Sequence, residues 1–293
     1  MSMATITVFT PVYNRADIID KLYDSVKKQT FKDFEWLIVD DGSKDDIEEV
    51  VQSFINEGVV DIRFYSQPNG GKHRAINKGV ELAKGDLFFI VDSDDTITPD
   101  ALKWLDYYYH QVKDDDRFAG ISGYRCLPDG RAVYVRPQEE IIDCSSIKFA
   151  CSYNVKGGNA EAYKTEILRK YPFPDIDGER FCAESLIWNR IAKKHVIRYF
   201  NKNIYVWNFL PEGLTAGSIR NRIKSPTYAM INYSEALKMN IPLSMKIKNA
   251  INYWRFYFVG AHKWEFRISI LWYIFAPLGL FFHIKDINSF NNK

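Results

Sequence analysis

Short apolar runs alternate with amphipathic stretches along the first hundred residues. Ile6 to Phe9, Glu35 to Val39, Ile62 to Tyr65 and Leu87 to Val91 are brief and end in polar residues, the mark of strands buried in a parallel sheet. Between them apolar residues recur at helical spacing. Ile18, Ile19, Leu22 and Val26 form one stripe, with Asn14 placed as a cap, and Val50, Val51, Phe54 and Ile55 form a second. The glycine-rich turn Pro68-Asn69-Gly70-Gly71-Lys72 opens a third helix, which runs to about Ala83. Strands alternating with helices imply right-handed crossovers and a doubly wound, mostly parallel α/β sheet. Its ligand edge lies beyond the carboxyl ends of the strands.

The pattern continues less regularly. It predicts a helix from Pro99 through Leu105, a strand from Ala119 to Tyr124 and a hairpin between Ile121 and Val135 around Pro128-Asp129-Gly130. Gly157-Gly158-Asn159 marks a close backbone approach before a helix ending near Tyr171. A helix over Glu184 to His195 and strands from Tyr199 to Phe209 follow, closed by Pro211-Glu212-Gly213.

Composition narrows the class. With 293 residues, 46% hydrophobic and 26% charged, the chain can bury one sizeable core and an extension. Cys126, Cys144, Cys151 and Cys182 have neither Cys-x-x-Cys nor zinc-site spacing, so they read as reduced thiols. Net charge is +2, but residues 216–293 carry eleven Lys or Arg against three Asp or Glu, +8, and the preceding part is −6. That tail is aromatic, and Ile268 to Ile284 is an uncharged stretch of seventeen residues interrupted by Pro277 and Gly279. It suits a membrane-surface or re-entrant segment, with Lys246, Lys248, Arg255, Lys263 and Arg267 reaching anionic headgroups, or a helical extension packed on protein. No nucleic-acid module accompanies the basic tail. The N-terminus enters its first strand without a leader pattern, so a cytoplasmic setting is expected, with a peripheral place at the inner face of the cytoplasmic membrane if the tail binds lipid.

Three groups of residues carry candidate chemistry, all at predicted strand ends. Asp92, Ser93, Asp94 and Asp95 follow the fourth strand and suit a hard cation such as Mg²⁺ or Mn²⁺, or else form an acidic turn before the helix at Pro99. Asp40-Asp41-Gly42-Ser43 follows the second strand and Pro11-Val12-Tyr13-Asn14 the first. No Gly-x-Gly-x-x-Gly follows the first strand, which argues against a dinucleotide-binding dehydrogenase.

Taken in order, the Pro-x-Tyr-Asn end, the Asp-Asp-Gly-Ser end, the Asn-x-Gly turn followed by Ala75, Asn77 and Gly79, and the Asp-x-Asp-Asp end resemble glycosyltransferase family 2. The resemblance covers the first hundred residues closely and weakens towards Gly213-Leu214-Thr215. It implies an inverting, sugar-nucleotide-dependent GT-A fold over 1–215, with a nucleotide-binding half (1–98), an acceptor half (99–215) and a C-terminal extension (216–293). It implies that Pro11 and Tyr13 wall the nucleobase and that Asp41 accepts from it, a uracil N3–H being suitable. Lys72 then faces the phosphates, Asp92 and Ser93 line the donor site, and Asp94 binds Mn²⁺ or Mg²⁺ with Asp92 assisting.

By the same resemblance Glu184 is the general base, with Glu179 and Asp177 as competitors, and Arg220 or Arg222 belongs to a loop closing on the donor. The implied partners are a nucleoside diphosphate sugar, a UDP-sugar first, and a glycan or lipid-linked acceptor. Two rivals stay open. Asp92-x-Asp94-x-Thr96 also resembles the haloacid-dehalogenase phosphatases, with Asp92 as nucleophile, although that motif belongs on a first strand. A glycosyltransferase-like binding scaffold without turnover is the other.

Overall fold

The computed structural model describes residues 5–153, 155, 159–208, 217–260, 262 and 266–291. The chain divides into two compact units, Met1–Pro172 with Arg190–Leu210, and Phe173–Asn189 with Pro211–Lys293. The boundary expected near residue 215 falls outside the described residues, as do Gly157 and Gly158, the Pro211-Glu212-Gly213 turn and Lys263.

The first unit holds a nine-stranded sheet. In chain order come β1 (Ile6–Val12), α1 (Ile19–Lys27), β2 (Phe34–Asp40), α2 (Ile47–Glu57), β3 (Ile62–Ser66), α3 (Lys72–Leu82) and β4 (Leu87–Ile90). β3, β2, β1 and β4 lie side by side and parallel. β2 is buried at every position, as a parallel strand covered on both faces must be. α1 buries Ile19, Leu22, Tyr23 and Val26, the stripe read from the sequence. Gly79 lets α3 sit directly on the sheet, because a Cβ there would overlap the Phe9 ring.

The rest of the sheet is mixed. β5 (Thr96–Ile97), α4 (Ala101–His110), β6 (Phe118–Cys126), β7 (Ile141–Cys144), α5 (Ser146–Ser152), β8 (Asn159–Lys164), α6 (Thr165–Lys170), α7 (Ser185–Ala192) and β9 (Val196–Val206) follow. β8 joins β4 to β6 antiparallel, β9 runs parallel to β6, and β5 and β7 pair antiparallel with β9. This is the α/β architecture expected.

Several elements differ from the sequence reading. The helix expected to end near Tyr171 is only α6, and the Asn159–Lys164 stretch before it is a central strand. Its Ala, Glu and Lys favour helix locally, but pairing on both edges overrides that preference. The Pro128-Asp129-Gly130 turn forms, with Leu127 N–H bonded to Arg131 O at 2.8 Å, yet its return strand is one bridge, Cys126 to Ala132. β6 spends its edges on β8 and β9 instead. The helix expected over Glu184 to His195 spans Ser185–Ala192.

The second unit contains Phe173–Asn189 and the helices α8 (Ser218–Ile223), α9 (Pro226–Leu237), α10 (Leu243–Tyr257) and α11 (Ala276–Asn291), the last preceded by a 3₁₀ turn at Ile270–Phe275. Its own core gathers Met230, Leu237, Ala250, Tyr253, Trp254 and Phe256. Buried Glu179 accepts from the backbone N–H groups of Thr227 and Tyr228 at 2.9 and 3.0 Å, satisfying donors that the first turn of α9 leaves open. Ile270–Phe290 is long and apolar enough to cross a membrane by length and composition, with mean hydropathy 1.4.

Candidate active site

Parallel pairing brings the ends of β1, β2, β3 and β4 to one edge. Val12 stands beside Asp40 and Asp40 beside Ser66, while Val91 N–H bonds Phe9 O at 2.8 Å. Tyr13, 45% exposed, follows Pro11 just past β1. Asn14 does not cap α1, whose start has no side-chain cap. Its backbone is left-handed (φ 52°), and its Oδ1 accepts from Lys44 N–H while its own N–H donates to Ser43 Oγ, both at 2.8 Å. The turns after β1 and β2 are thereby tied together.

Asp41 organises the glycine turn. Only 4% exposed, it accepts through Oδ1 from Gln67 Nε2 and Gly70 N–H, both at 2.9 Å, and through Oδ2 from Gly71 N–H at 2.7 Å and Asn69 Nδ2 at 3.2 Å. Those four donors fill the acceptor capacity of a carboxylate. Gly71, at φ 98°, then directs the chain into α3. A base N–H reaching Asp41 would have to displace one donor, and Gln67 is on a rotatable side chain whereas the two glycine N–H groups are fixed. Neighbouring Asp40 accepts from Ser43 N–H and Ser66 Oγ at 3.0 and 2.9 Å.

Lys72, the first residue of α3, meets the acidic turn after β4. Its Nζ lies 2.6 Å from Asp92 Oδ1. Burial pushes the Asp92 carboxyl upward, but Lys72, Arg125 and Arg15 outweigh it and hold it below its ordinary value. Burial, then the Asp92 charge, raise half-buried Asp94. Asp95 is pushed up to about 6, by burial first and less by Asp92 and Asp94. Ligand atoms of Asp92, Asp94 and Asp95 lie within 4.8 Å of one another, a set of hard oxygens that fits Mg²⁺ or Mn²⁺. Ser93 is buried between them.

The three carboxylates are not equivalent. Tyr205 Oη donates to Asp95 Oδ2 at 2.7 Å and accepts from Asp92 N–H at 3.1 Å. Asn208 N–H donates to Asp95 Oδ1 at 2.7 Å, and its Nδ2 to Asp94 O at 3.1 Å. Both Asp95 oxygens are therefore engaged in holding the turn, while Asp94 and the second oxygen of Asp92 are the better placed for a cation. The Tyr205 ring meets Phe89 edge-on at 6.3 Å and carries the Arg125 guanidinium 4.7 Å from its centroid. Burial and the adjacent Asp92 and Asp95 charges raise the Tyr205 hydroxyl well above its ordinary value, so it stays a donor. Sequence reasoning missed Tyr205 and Asn208; the available signal was a hydroxyl inside the otherwise apolar run Ile204–Val206.

The second unit contains Glu184, half-buried at the start of α7, its carbonyl accepting from Ile187 and Trp188 N–H at 3.0 and 3.2 Å. Of the competing carboxylates, Glu179 is buried against α9, whereas Asp177 is exposed. Arg222 lies over the Phe181 ring at 5.3 Å and bonds Ser218 O at 3.1 Å within α8, and Arg220 is exposed. Arg255, expected to reach headgroups, is instead paired with Asp286, Nε and Nη2 each 2.6 Å from a carboxylate oxygen.

Residues 7–118 match the model of glycosyl transferase family 2. The GalNAc(5)-diNAcBac-PP-undecaprenol beta-1,3-glucosyltransferase of Campylobacter jejuni is 33% identical over 236 residues, which cover 75% of this chain and 70% of that one. The chain belongs to glycosyltransferase family 2. It is a glycosyltransferase, and the phosphatase and non-catalytic readings are set aside. Solved structures share the fold of this glycosyltransferase. S. aureus TarS 1–349 in complex with UDP-GlcNAc has a TM-score of 0.62 at 19% identity, covering 88% of this chain and 73% of that chain. The Pyrobaculum calidifontis mannosyltransferase PcManGT, in complex with GDP-Man and Mn²⁺, has a TM-score of 0.55 at 17% identity, covering 99% of this chain and 88% of that chain.

Proposed function

We propose that this glycosyltransferase moves a sugar, with inversion, from a nucleoside diphosphate donor, a UDP-sugar first, to a hydroxyl of a growing glycan. The observation that carries this reading is the Lys72–Asp92 pair beside Asp94, at the same sheet edge as Tyr13 and the turn held by Asp41. The pair puts a cationic group that suits a phosphate next to a carboxylate that suits a metal ion. With donor and cation bound, Lys72 would face the diphosphate and Asp92 and Asp94 would hold the cation. Bound Mn²⁺ or Mg²⁺ supplies charge neutralisation for the departing diphosphate. Pro11 and Tyr13 wall the base, Asp41 accepts its N–H in exchange for Gln67, and Ser93 lines the donor site.

Glu184 takes the acceptor proton in this scheme, since inversion needs a base on the face opposite the leaving group. Residues 1–98 form the nucleotide half, 99–215 the acceptor half and 216–293 the extension. The Campylobacter relative, named for a polyprenyl-diphosphate glycan, supports a lipid-linked acceptor and hence surface-glycan assembly. The TarS complex supports a UDP-sugar donor and the Pyrobaculum complex the divalent cation. We place the enzyme at the cytoplasmic membrane's inner face, its tail on the lipid.

A thermal-shift series with UDP, GDP and their sugars, with and without Mn²⁺, tests the donor site. The expected result is stabilisation by UDP compounds that requires Mn²⁺ and is lost in Asp94→Asn. Equal stabilisation without metal refutes the cation role. Glu184→Gln is expected to lower kcat about 10²- to 10⁴-fold with donor affinity unchanged; wild-type turnover would move the base elsewhere, Asp177 being next.

A further inference from the structure

The tail helix α11 is inverted: its polar stripe faces inward. Its buried positions are Gly279, His283 and Asp286, spaced one turn apart. Gly279 packs so closely that a Cβ would collide with Trp254, and Asp286 holds the Arg255 guanidinium through two bonds of 2.6 Å. The opposite side is open and mostly apolar, with Lys285 and Asn288 its exposed polar residues. Leu278, Phe281 and Ile284 are 42%, 59% and 50% exposed, and the preceding 3₁₀ turn adds Ile270, Leu271 and Ile274 at 71–74%. A water-facing helix shows the reverse arrangement, and contiguous apolar surface of this kind marks an interaction site.

Charge selects the occupant. Among the described residues from Leu243 to Asn291 the acid is Asp286, which is already neutralised by Arg255, while Lys248, Arg267 and Lys285 are exposed cations. An exposed apolar face on a helix that itself carries exposed Lys285, in a unit whose described residues also expose Lys248 and Arg267, complements an anionic lipid surface. A second copy fits poorly, since a two-fold contact sets each patch against itself and brings like charges together. A spanning helix fits poorly too, because His283 and the Arg255–Asp286 pair would lie within its length.

We propose that the face formed by the 3₁₀ turn and the outer side of α11 docks on an anionic bilayer, with α11 lying in the interfacial plane. This deepens the membrane placement proposed above and rests on it. Lys285 extends its stem along the apolar face and lifts its ammonium to the headgroups. The inward Arg255–Asp286 bond keeps α11 on α10, so that the apolar residues remain turned outward.

Vesicle flotation of the full chain tests the proposal. The wild type is expected to float with phosphatidylcholine vesicles containing phosphatidylglycerol, and roughly tenfold less with phosphatidylcholine alone or in high salt. Phe281→Glu/Ile284→Glu should abolish flotation, and Lys248→Glu/Arg267→Glu/Lys285→Glu should abolish its dependence on phosphatidylglycerol. Both variants change exposed side chains, and their thermal shift with UDP-sugar and Mn²⁺ should match wild type. That readout separates failure of the docking face from failure of the donor site. The proposal is overturned if wild type stays with the protein-only fraction, if the apolar variant floats like wild type, or if bound protein resists alkaline carbonate extraction as a spanning helix does. A lipid-free dimer that becomes monomeric in Phe281→Glu/Ile284→Glu would overturn it in favour of a second copy.

Discussion

Replacing Asp41 by Asn separates the structural role of this carboxylate from its nucleotide role. The substitution keeps the shape but leaves one acceptor oxygen and adds an NH₂ group. If the NH₂ occupies the Oδ1 position it faces Gly70 N–H; in the Oδ2 position it faces Gly71 N–H. The side-chain donors adapt more easily, because Gln67 can rotate and Asn69 Nδ2 keeps its bond to Asp41 O at 2.8 Å. Either orientation therefore leaves one backbone donor opposed in a buried turn, at about 1–3 kcal/mol, and weakens the remaining bonds by removing the charge, about 1 kcal/mol more. The expected loss is about 2–4 kcal/mol. Urea unfolding at neutral pH measures it, as a lower midpoint with unchanged slope. A loss below about 0.5 kcal/mol would refute the assignment of Asp41 as the anchor of the Gly70–Gly71 turn. Nucleotide titration of the folded variant then reads the second role, and weaker binding of UDP than wild type shows is expected.

Two further substitutions probe positions on which the site depends. Gly79→Ala drives a methyl into the Phe9 ring and should cost about 1–3 kcal/mol as α3 moves off the sheet, seen as a lower unfolding temperature; an unchanged temperature would show that the close approach is not tight. Tyr205→Phe keeps the ring on Phe89 but removes the hydroxyl bridging Asp92 and Asp95. Mn²⁺ binding followed by electron paramagnetic resonance should weaken roughly tenfold or more, as outer-shell partners of metal ligands typically do, and wild-type affinity would show that Asn208 alone suffices to hold the turn.

The sequence by itself determined the first four strands, the helices between them, the order of their polar ends and the family. Each is a local pattern: an apolar run long enough for a strand, a stripe at helical spacing, and carboxylates or glycines where the run stops. Parallel pairing then necessarily gathers those ends at one edge, so the strand order alone brings Tyr13, Asp41, Lys72, Asp92 and Asp94 to the same side of the sheet. What tertiary structure decided was how each polar atom is used. Asp41 and Asp95 read alike as acids after a strand, but only the fold shows Asp41 saturated by the glycine turn and Asp95 clamped from β9, more than a hundred residues away. Glu179 reads in the sequence as one more acid near Glu184, and only the fold shows its carboxylate taken up by the first-turn N–H groups of α9. Asn159–Lys164 has helix-favouring composition and became a central strand through its two neighbours. The direction in which α11 presents its apolar side also followed from packing, because a helix with residues of both kinds does not specify which face its own protein will cover. Periodicity records the partner-free preference of a segment, whereas hydrogen bonds across long sequence separations and the choice of buried face arise only when the segments meet.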